Sequence, residues 1–324
     1  MGPEAGHPQA PRPEHIPVLL APAIEGLNLR RDGTYLDATA GGGGHAARIA
    51  EILAAGRGRL IAVDRDESAV ALVRTRLASF RGVTVVHGNY GEVERIVNAL
   101  GVTRLDGAIF DAGLSSAQLD DPSRGFSLER EGVLDMRMDR SGGTTAREYL
   151  ARVSEPDLAL VLKTYGDVRP ARRIARAIIR RRDTGRMNTT FDLVEAVREA
   201  LPFVSGIPEE TRTTFQSIRV MINQELHWLR QGVAQAIGLL TPGGRIACIT
   251  FHSGEASVVK EVFRSASRPR RELMADGRVA RTVPPVLRLV TAKPIRPTED
   301  EIRLNSRAHS AQLRIGERLN DQET

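Results

Sequence analysis

Four consecutive glycines, set between an apolar strand and a helical segment, constrain this chain more than any other feature. The stretch reads Tyr35-Leu36-Asp37-Ala38-Thr39-Ala40-Gly41-Gly42-Gly43-Gly44-His45. Glycines let a main chain turn sharply and leave bare backbone for a ligand to lie against. A helix that starts there offers N–H groups with no partner inside the helix. A second apolar segment, Arg59–Val63, ends in Asp64. That acid comes about 20 residues after the turn, where a nucleotide-binding βαβ unit holds ribose hydroxyls. Strand, turn, helix, strand and terminal acid together imply a site for an adenosine-containing cofactor.

The glycine spacing separates the candidate cofactors. A dinucleotide turn spaces its glycines Gly-x-Gly-x-x-Gly to seat a pyrophosphate. Here the glycines are contiguous and Asp37 precedes them. A carboxylate in that place repels a diphosphate and attracts a ligand carrying a sulfonium and an ammonium. The pattern favours S-adenosylmethionine over a nicotinamide dinucleotide.

The chain has 324 residues and a formal net charge of +6, a mild excess that permits a polyanionic partner without requiring one. Its single cysteine, Cys248, lies in an apolar strand and reads as a small core residue. There is no signal-peptide pattern and no apolar stretch of bilayer length, so a cytoplasmic location is expected.

Along the chain, the alternation of strand and helix patterns from about His15 to Asp111 predicts an α/β fold with a parallel sheet. Strands are expected at Thr34–Ala38, Arg59–Asp64, Val83–Gly88 and Leu105–Asp111. Residues 144–205 read as helices without strands, and Thr214–Leu240 reads as one long amphipathic helix. A strand around Cys248 and two more near Val286–Thr291 and Ser310–Ile315 complete the pattern. The expected organisation is a disordered tail at 1–14, a first part of the sheet domain at 15–135, an inserted helical domain at 136–210, a second part at 211–318 and a disordered tail at 319–324.

Ligands of open α/β sheets bind beyond the carboxyl ends of the strands. Gly41–His45, Asp64, Gly88-Asn89-Tyr90 and Asp111–Ser116 all fall there. Tyr90 is either an adenine-stacking face or an ordinary half-buried aromatic. Asp111 ends an apolar strand in line with the other three segments, which makes it a candidate functional carboxylate.

At this point the chain resembles a known family. Asp111-Ala-Gly-Leu-Ser-Ser-Ala-Gln118, Arg124-Gly-Phe-Ser and Leu134-Asp-Met-Arg-Met-Asp139 resemble the bacterial ribosomal RNA small subunit methyltransferase H family, which methylates cytosine N4 in 16S rRNA. So do His15-Ile-Pro-Val-Leu19, Gly43-Gly-His45, Thr214-Phe-Gln-Ser-Ile-Arg219, Asn223-Gln-Glu-Leu226 and Phe251-His-Ser253. The resemblance implies a class I S-adenosylmethionine-dependent methyltransferase (Rossmann-like) sheet with an inserted helical domain. It implies a donor held by Gly43, Gly44, His45, Asp64, Tyr90, Asp111 and Gln118, and a target cytidine in the decoding region of 16S rRNA. The substrate would be that RNA within the 30S subunit or a late precursor, and the enzyme a monomer or homodimer. This copy departs from the family pattern at Ala112, Ala117, Glu209-Glu210, Gly254, Ala256 and Asn305–Ser310.

On this reading Asp111 and the backbone and hydroxyls of Ser115 and Ser116 line the target base, with His252 and Ser253 as weaker candidates. Asp135 and Asp139 would order the loop around Arg137. No tight cluster of His and Cys suggests a metal. Arg172, Arg173, Arg176, Arg180 and Arg181 crowd one predicted helix, where they form either an RNA-facing surface or a solvated basic face. Two other functions stay open: methylation of a small metabolite, and RNA binding as a catalytically degenerate assembly factor.

Overall fold

The computed structural model describes residues 17–273 and 279–320. The expected tail at 1–14, His15, Ile16 and residues 321–324 lie outside the described residues. The strands are β1 (Thr34–Asp37), β2 (Arg59–Asp64), β3 (Val83–His87), β4 (Leu105–Asp111), β5 (Leu240–Thr250), β6 (Arg270–Leu273), β7 (Val279–Val283), β8 (Leu287–Leu289) and β9 (Gln312–Arg318). Seven of them form one sheet in the order β3-β2-β1-β4-β5-β9-β8, and β6 and β7 pair separately. Within the large sheet β9 runs antiparallel to both its neighbours and the remaining pairs are parallel. This is the α/β sheet expected from the class I methyltransferase resemblance.

The helices are α1 (Leu20–Leu27), α2 (Gly44–Leu53), α3 (Glu67–Arg76), α4 (Val93–Ala99), α5 (Ser116–Asp120), α6 (Ala146–Arg152), α7 (Glu155–Gly166), α8 (Ala171–Asp183), α9 (Thr190–Ala200), α10 (Glu209–Asn223), α11 (Glu225–Leu239), α12 (Ser253–Ala266) and α13 (Glu299–Leu304). Strand side chains alternate between faces, and each face has its own core. Leu36, Ala108, Phe110, Ile246 and Cys248 meet α4, α11 and α12 on one side. Tyr35, Leu60, Ile109, Ala247 and Ile249 meet α1 and α2 on the other. Burial on both faces explains why the parallel strands read as continuous apolar runs.

A third core belongs to the helices between β4 and β5. Leu150, Leu158, Leu162, Ile174, Ile178, Leu193 and Val197 from α6–α9 pack with Phe126, Leu134 and Met136 from the preceding loops. Local signals start these helices cleanly. Thr145 with Glu148 and Thr189 with Asp192 form reciprocal capping boxes.

The segment expected as one helix over Thr214–Leu240 is two. Gln224 adopts a left-handed conformation (φ 49°) and ends α10. Ile222, before the break, packs on the helical core, while Leu226, after it, packs on the sheet core. Apolar periodicity continues across the bend, because one left-handed residue redirects the chain without disturbing the count. Asn223 holds the bend. Its Nδ2 donates to the carbonyls of Met136 (2.7 Å) and Arg219 (2.9 Å), and its Oδ1 accepts from the Met138 N–H (2.8 Å). Arg219 and Glu225 pair across the break at 2.8 and 2.9 Å. Asn223→Ala strands these buried partners and should lower the unfolding free energy by about 3 kcal/mol, read by urea denaturation.

Candidate active site

At the carboxyl ends of β1, β2 and β4, Asp37, Asp64 and Asp111 gather around the turn that follows β1. In the glycine turn, Gly41 (φ 50°) and Gly43 (φ 78°) take left-handed conformations. A Cβ on Gly42 would meet nothing within 4 Å, so this glycine faces open space. By contrast, a Cβ on Gly44 would fall 2.1 Å from the Pro17 ring, and one on Gly43 would crowd Arg76 and Val73. Gly43 and Gly44 therefore shape the turn through close packing. Gly42, inside the expected Gly41–His45 segment but not among the named donor contacts, supplies the open surface, and contiguous glycines give no cue as to which of them does so.

Asp64 ties the turn to the second strand. Its Oδ2 accepts the Gly41 N–H at 2.7 Å and its Oδ1 accepts the Asp66 N–H at 2.8 Å. Each oxygen keeps a lone pair for a ligand hydroxyl. Thr39 links the neighbouring strands, donating its N–H to Asp37 Oδ1 (3.1 Å) and accepting the Asp111 N–H on Oγ1 (2.6 Å).

Asp37 and Asp111 carry the chemistry of the site. Each leaves one buried carboxylate oxygen without a partner, Oδ2 of Asp37 and Oδ1 of Asp111. Burial pushes Asp37 up to about 7. Burial, then the charges of Asp37 and Glu255, raises Asp111 well above the ordinary carboxylate range. His45, on the first turn of α2, has Nδ1 3.5 Å from Asp111 Oδ2. Burial lowers its pKa to about 4, so at neutral pH it brings no positive charge. The three acids at the strand ends, Asp37, Asp64 and Asp111, form no ion pair with Lys or Arg among the described residues. Open glycine backbone at Gly42, together with buried carboxylate oxygens that no Lys or Arg answers, suits a cationic adenosine derivative.

The loop after β4 is secured from below. Ser115 and Gln118 form a capping box on α5. The Gln118 side chain is buried, with Oε1 accepting the Ser115 N–H (3.0 Å) and Nε2 donating to Asp66 Oδ2 (2.7 Å). Gln118, expected against the donor, thus has both ends of its amide engaged within the protein. Arg124 reaches the same Asp66 oxygen at 2.6 Å and also donates to the carbonyls of Arg137 and Met138. Asp66 and this role of Arg124 were not foreseen, since neither neighbours the other in sequence. Ser115 approaches the glycine turn, with its Cβ 3.9 Å from a Cβ placed on Gly41, and Ser116 opens α5. Asp135 pairs with Arg137 (2.7 Å), as expected, whereas Asp139 caps Ser141.

Tyr90 packs edge-on to Phe110, with ring centroids 6.0 Å apart. Burial, and next Glu225, raises its phenol pKa. Nearby, His252 caps α12 by accepting the Glu255 N–H on Nδ1 (3.4 Å), and Glu255 Oε2 accepts the N–H groups of Phe251 and His252. Glu225, His252 and Glu255 offer ligand atoms within 4.8 Å of one another. Two features oppose a metal there: Arg219 already supplies the cation to Glu225, and an imidazole that accepts on Nδ1 carries its proton on Nε2. Gly254 packs on the His252 ring (3.2 Å from an added Cβ), and Ala112 is buried in the sheet core.

The basic helix α8 is largely neutralised. Arg181 is buried and pairs with Glu199 (2.6 Å) and Asp192 (3.3 Å), which corrects its assignment to an RNA-facing surface. Arg176 pairs with Glu155 (3.2 Å) and Arg180 approaches Glu199 (3.9 Å). Arg172 and Arg173 stay exposed.

Comparison with known proteins gives a consistent result. Residues 12–319 match the profile of the MraW methylase family. A protein of Methylococcus capsulatus named ribosomal RNA small subunit methyltransferase H is 45% identical over 302 residues, covering 93% of this chain and 99% of its own length. Proteins of the same name from Methylobacillus flagellatus (41% over 314 residues; 96% of both chains) and Brevibacillus brevis (40% over 313 residues; 94% of this chain and 98% of its own) are similarly close.

The titration of the site has a definite sign. Folded Asp37 binds its proton more tightly than unfolded Asp (about 7 against 3.8), so its contribution to stability is lost as pH rises between those values. Buried neutral His45 acts oppositely, gaining stability as pH rises from about 4 to 6.5. Asp37→Asn removes the first effect, relieves Asp111 of a neighbouring negative charge and leaves the effect of His45 in place. The stability of this variant relative to wild type should therefore climb steadily from about pH 4 to 7 in denaturation experiments.

Proposed function

The chain belongs to the MraW methylase family, and we propose that it transfers a methyl group from S-adenosylmethionine to small-subunit ribosomal RNA, at the exocyclic N4 of a cytidine in the decoding region. One observation carries the chemical part of this reading: the two unpartnered buried oxygens of Asp37 and Asp111 beside open glycine backbone. The family and its relatives' names support RNA as the acceptor. The target nucleotide and atom follow from the sequence resemblance.

When bound, the donor supplies a methyl group on a positively charged sulfur, and the S–CH3 bond breaks with its electron pair left on sulfur. Asp64 would accept ribose hydroxyls, the glycine turn would admit the nucleoside and Asp37 would balance the cation. The incoming amino nitrogen is a weak nucleophile because its lone pair is delocalised into the ring. Asp111, with the Ser115 and Ser116 segment, accepts hydrogen bonds from that amino group and aligns it with the methyl carbon. As the new N–C bond forms, one proton leaves the nitrogen for the Asp111 carboxylate and then solvent. A bound sulfonium would hold Asp111 ionised against its burial and so fit it to accept the proton that the amino nitrogen sheds. A paired base has to leave its duplex to reach this site, so open or single-stranded RNA is the easier substrate.

Nucleoside mass spectrometry tests the assignment. 16S rRNA from cells lacking the gene should lose N4-methylated cytidine, and the wild-type gene should restore it. Asp111→Asn should bind the donor more weakly and, at saturating donor, turn over at least about 100-fold more slowly. Persistence of the mark without the gene, or labelled methyl appearing in a small metabolite, would overturn the reading.

A further inference from the structure

The loop between α9 and α10, Pro202-Phe203-Val204-Ser205-Gly206-Ile207-Pro208, contains no charged residue and presents large apolar side chains to solvent. Phe203 is 71% exposed, Ile207 54% and Val204 38%. The Arg173 guanidinium lies over the Phe203 ring, 5.3 Å from its centroid. With Phe203 still so open, this contact does little to hide the ring from water.

Charge on α8 is divided unevenly along its length. From Arg176 onward each arginine has a carboxylate partner: Arg176 with Glu155, Arg180 and Arg181 with Glu199, Arg182 with Asp183. The first turn differs. Arg172 and Arg173, and Arg169 just before them, form no ion pair among the described residues, and this turn contains no acid. Cations at a helix N-terminus oppose the macrodipole. Both the arginines and the exposed apolar side chains are therefore placed against stability, on adjoining elements.

We propose that Phe203, Arg173, Arg172 and Arg169 form a docking platform for single-stranded RNA, with one base stacking on the Arg173–Phe203 pair and the neighbouring arginines meeting phosphates. This rests on the ribosomal RNA reading and adds where the helical insert grips the substrate. RNA is favoured over a lipid surface because the ring already carries a planar cation. An aromatic–guanidinium stack extends naturally onto a base, whereas membrane insertion requires a bare ring.

The test uses the full-length protein, a short fluorescein-labelled single-stranded oligoribonucleotide and vesicles of phosphatidylglycerol. In anisotropy titrations over a KCl series, Phe203→Ala should weaken RNA binding about tenfold at every salt concentration, while Phe203→Trp retains it. The double variant Arg169→Gln, Arg172→Gln should flatten the slope of log K against log[KCl] by about 1.4, the value for two phosphates on a single strand. Donor affinity by calorimetry should be the same in all variants, which establishes that they are folded. Unchanged RNA affinity in Phe203→Ala and an unchanged slope in the double variant would overturn the platform. So would vesicle binding that depends on Phe203 while RNA binding does not. The two levels of inference fail differently: if wild-type protein methylates 30S subunits but the variants bind RNA normally, only the platform falls, whereas absence of ribosomal RNA methylation by wild type removes the reading beneath it.

Discussion

The buried contact between Asp66 and Arg124 is the joint on which the site depends. Its side chains are only 5% and 6% exposed. Asp66 caps α3 through the Ser68 N–H, receives Gln118 from the loop after β4, and receives Arg124, which in turn holds the carbonyls of Arg137 and Met138. One carboxylate thereby fixes the second strand, the loop of the candidate catalytic residues and the start of the helical insert. Removing one partner of such a pair typically costs about 3–5 kcal/mol, because the survivor is left charged and dry. Its rigidity is what places Asp111 and Ser115 beside the glycine turn.

The site itself follows the opposite rule. Elsewhere buried charge is matched, as in Arg219–Glu225 and Arg181–Glu199. Beyond β1 and β4 no cation answers the acids: burial drives Asp37 and Asp111 toward their protonated forms, and the adjacent His45 is neutral. An arrangement that penalises the free protein is compensated when a cation arrives, so the cost of burying these acids is recovered as selectivity for a positively charged ligand.

Much of this was legible in the sequence where the signal is local. β2 and β4 fall on the expected residues because continuous apolar runs end in an acid. Thr189 with Asp192 announced the start of α9 through capping chemistry. Asp64, Asp111 and the glycine turn were legible as a group because strand ends of a parallel sheet converge. What stayed hidden depends on distance in the chain. Gln224 breaks an apolar period that runs on undisturbed. Asp66 meets Arg124 only after folding, and Arg181 looks like its exposed neighbours until Asp192 and Glu199 close over it. Periodicity reports which side of a helix is apolar; it does not report which arginine a later helix will cover.

The stitching around Asn223 has a topological consequence. This residue, the last before the chain returns to the sheet, is bonded to Met136 and Met138, which lie where the chain departs into the helices. Departure and return thus share one knot. The helical excursion is pinned at its base by the same side chain that turns the chain back toward the sheet.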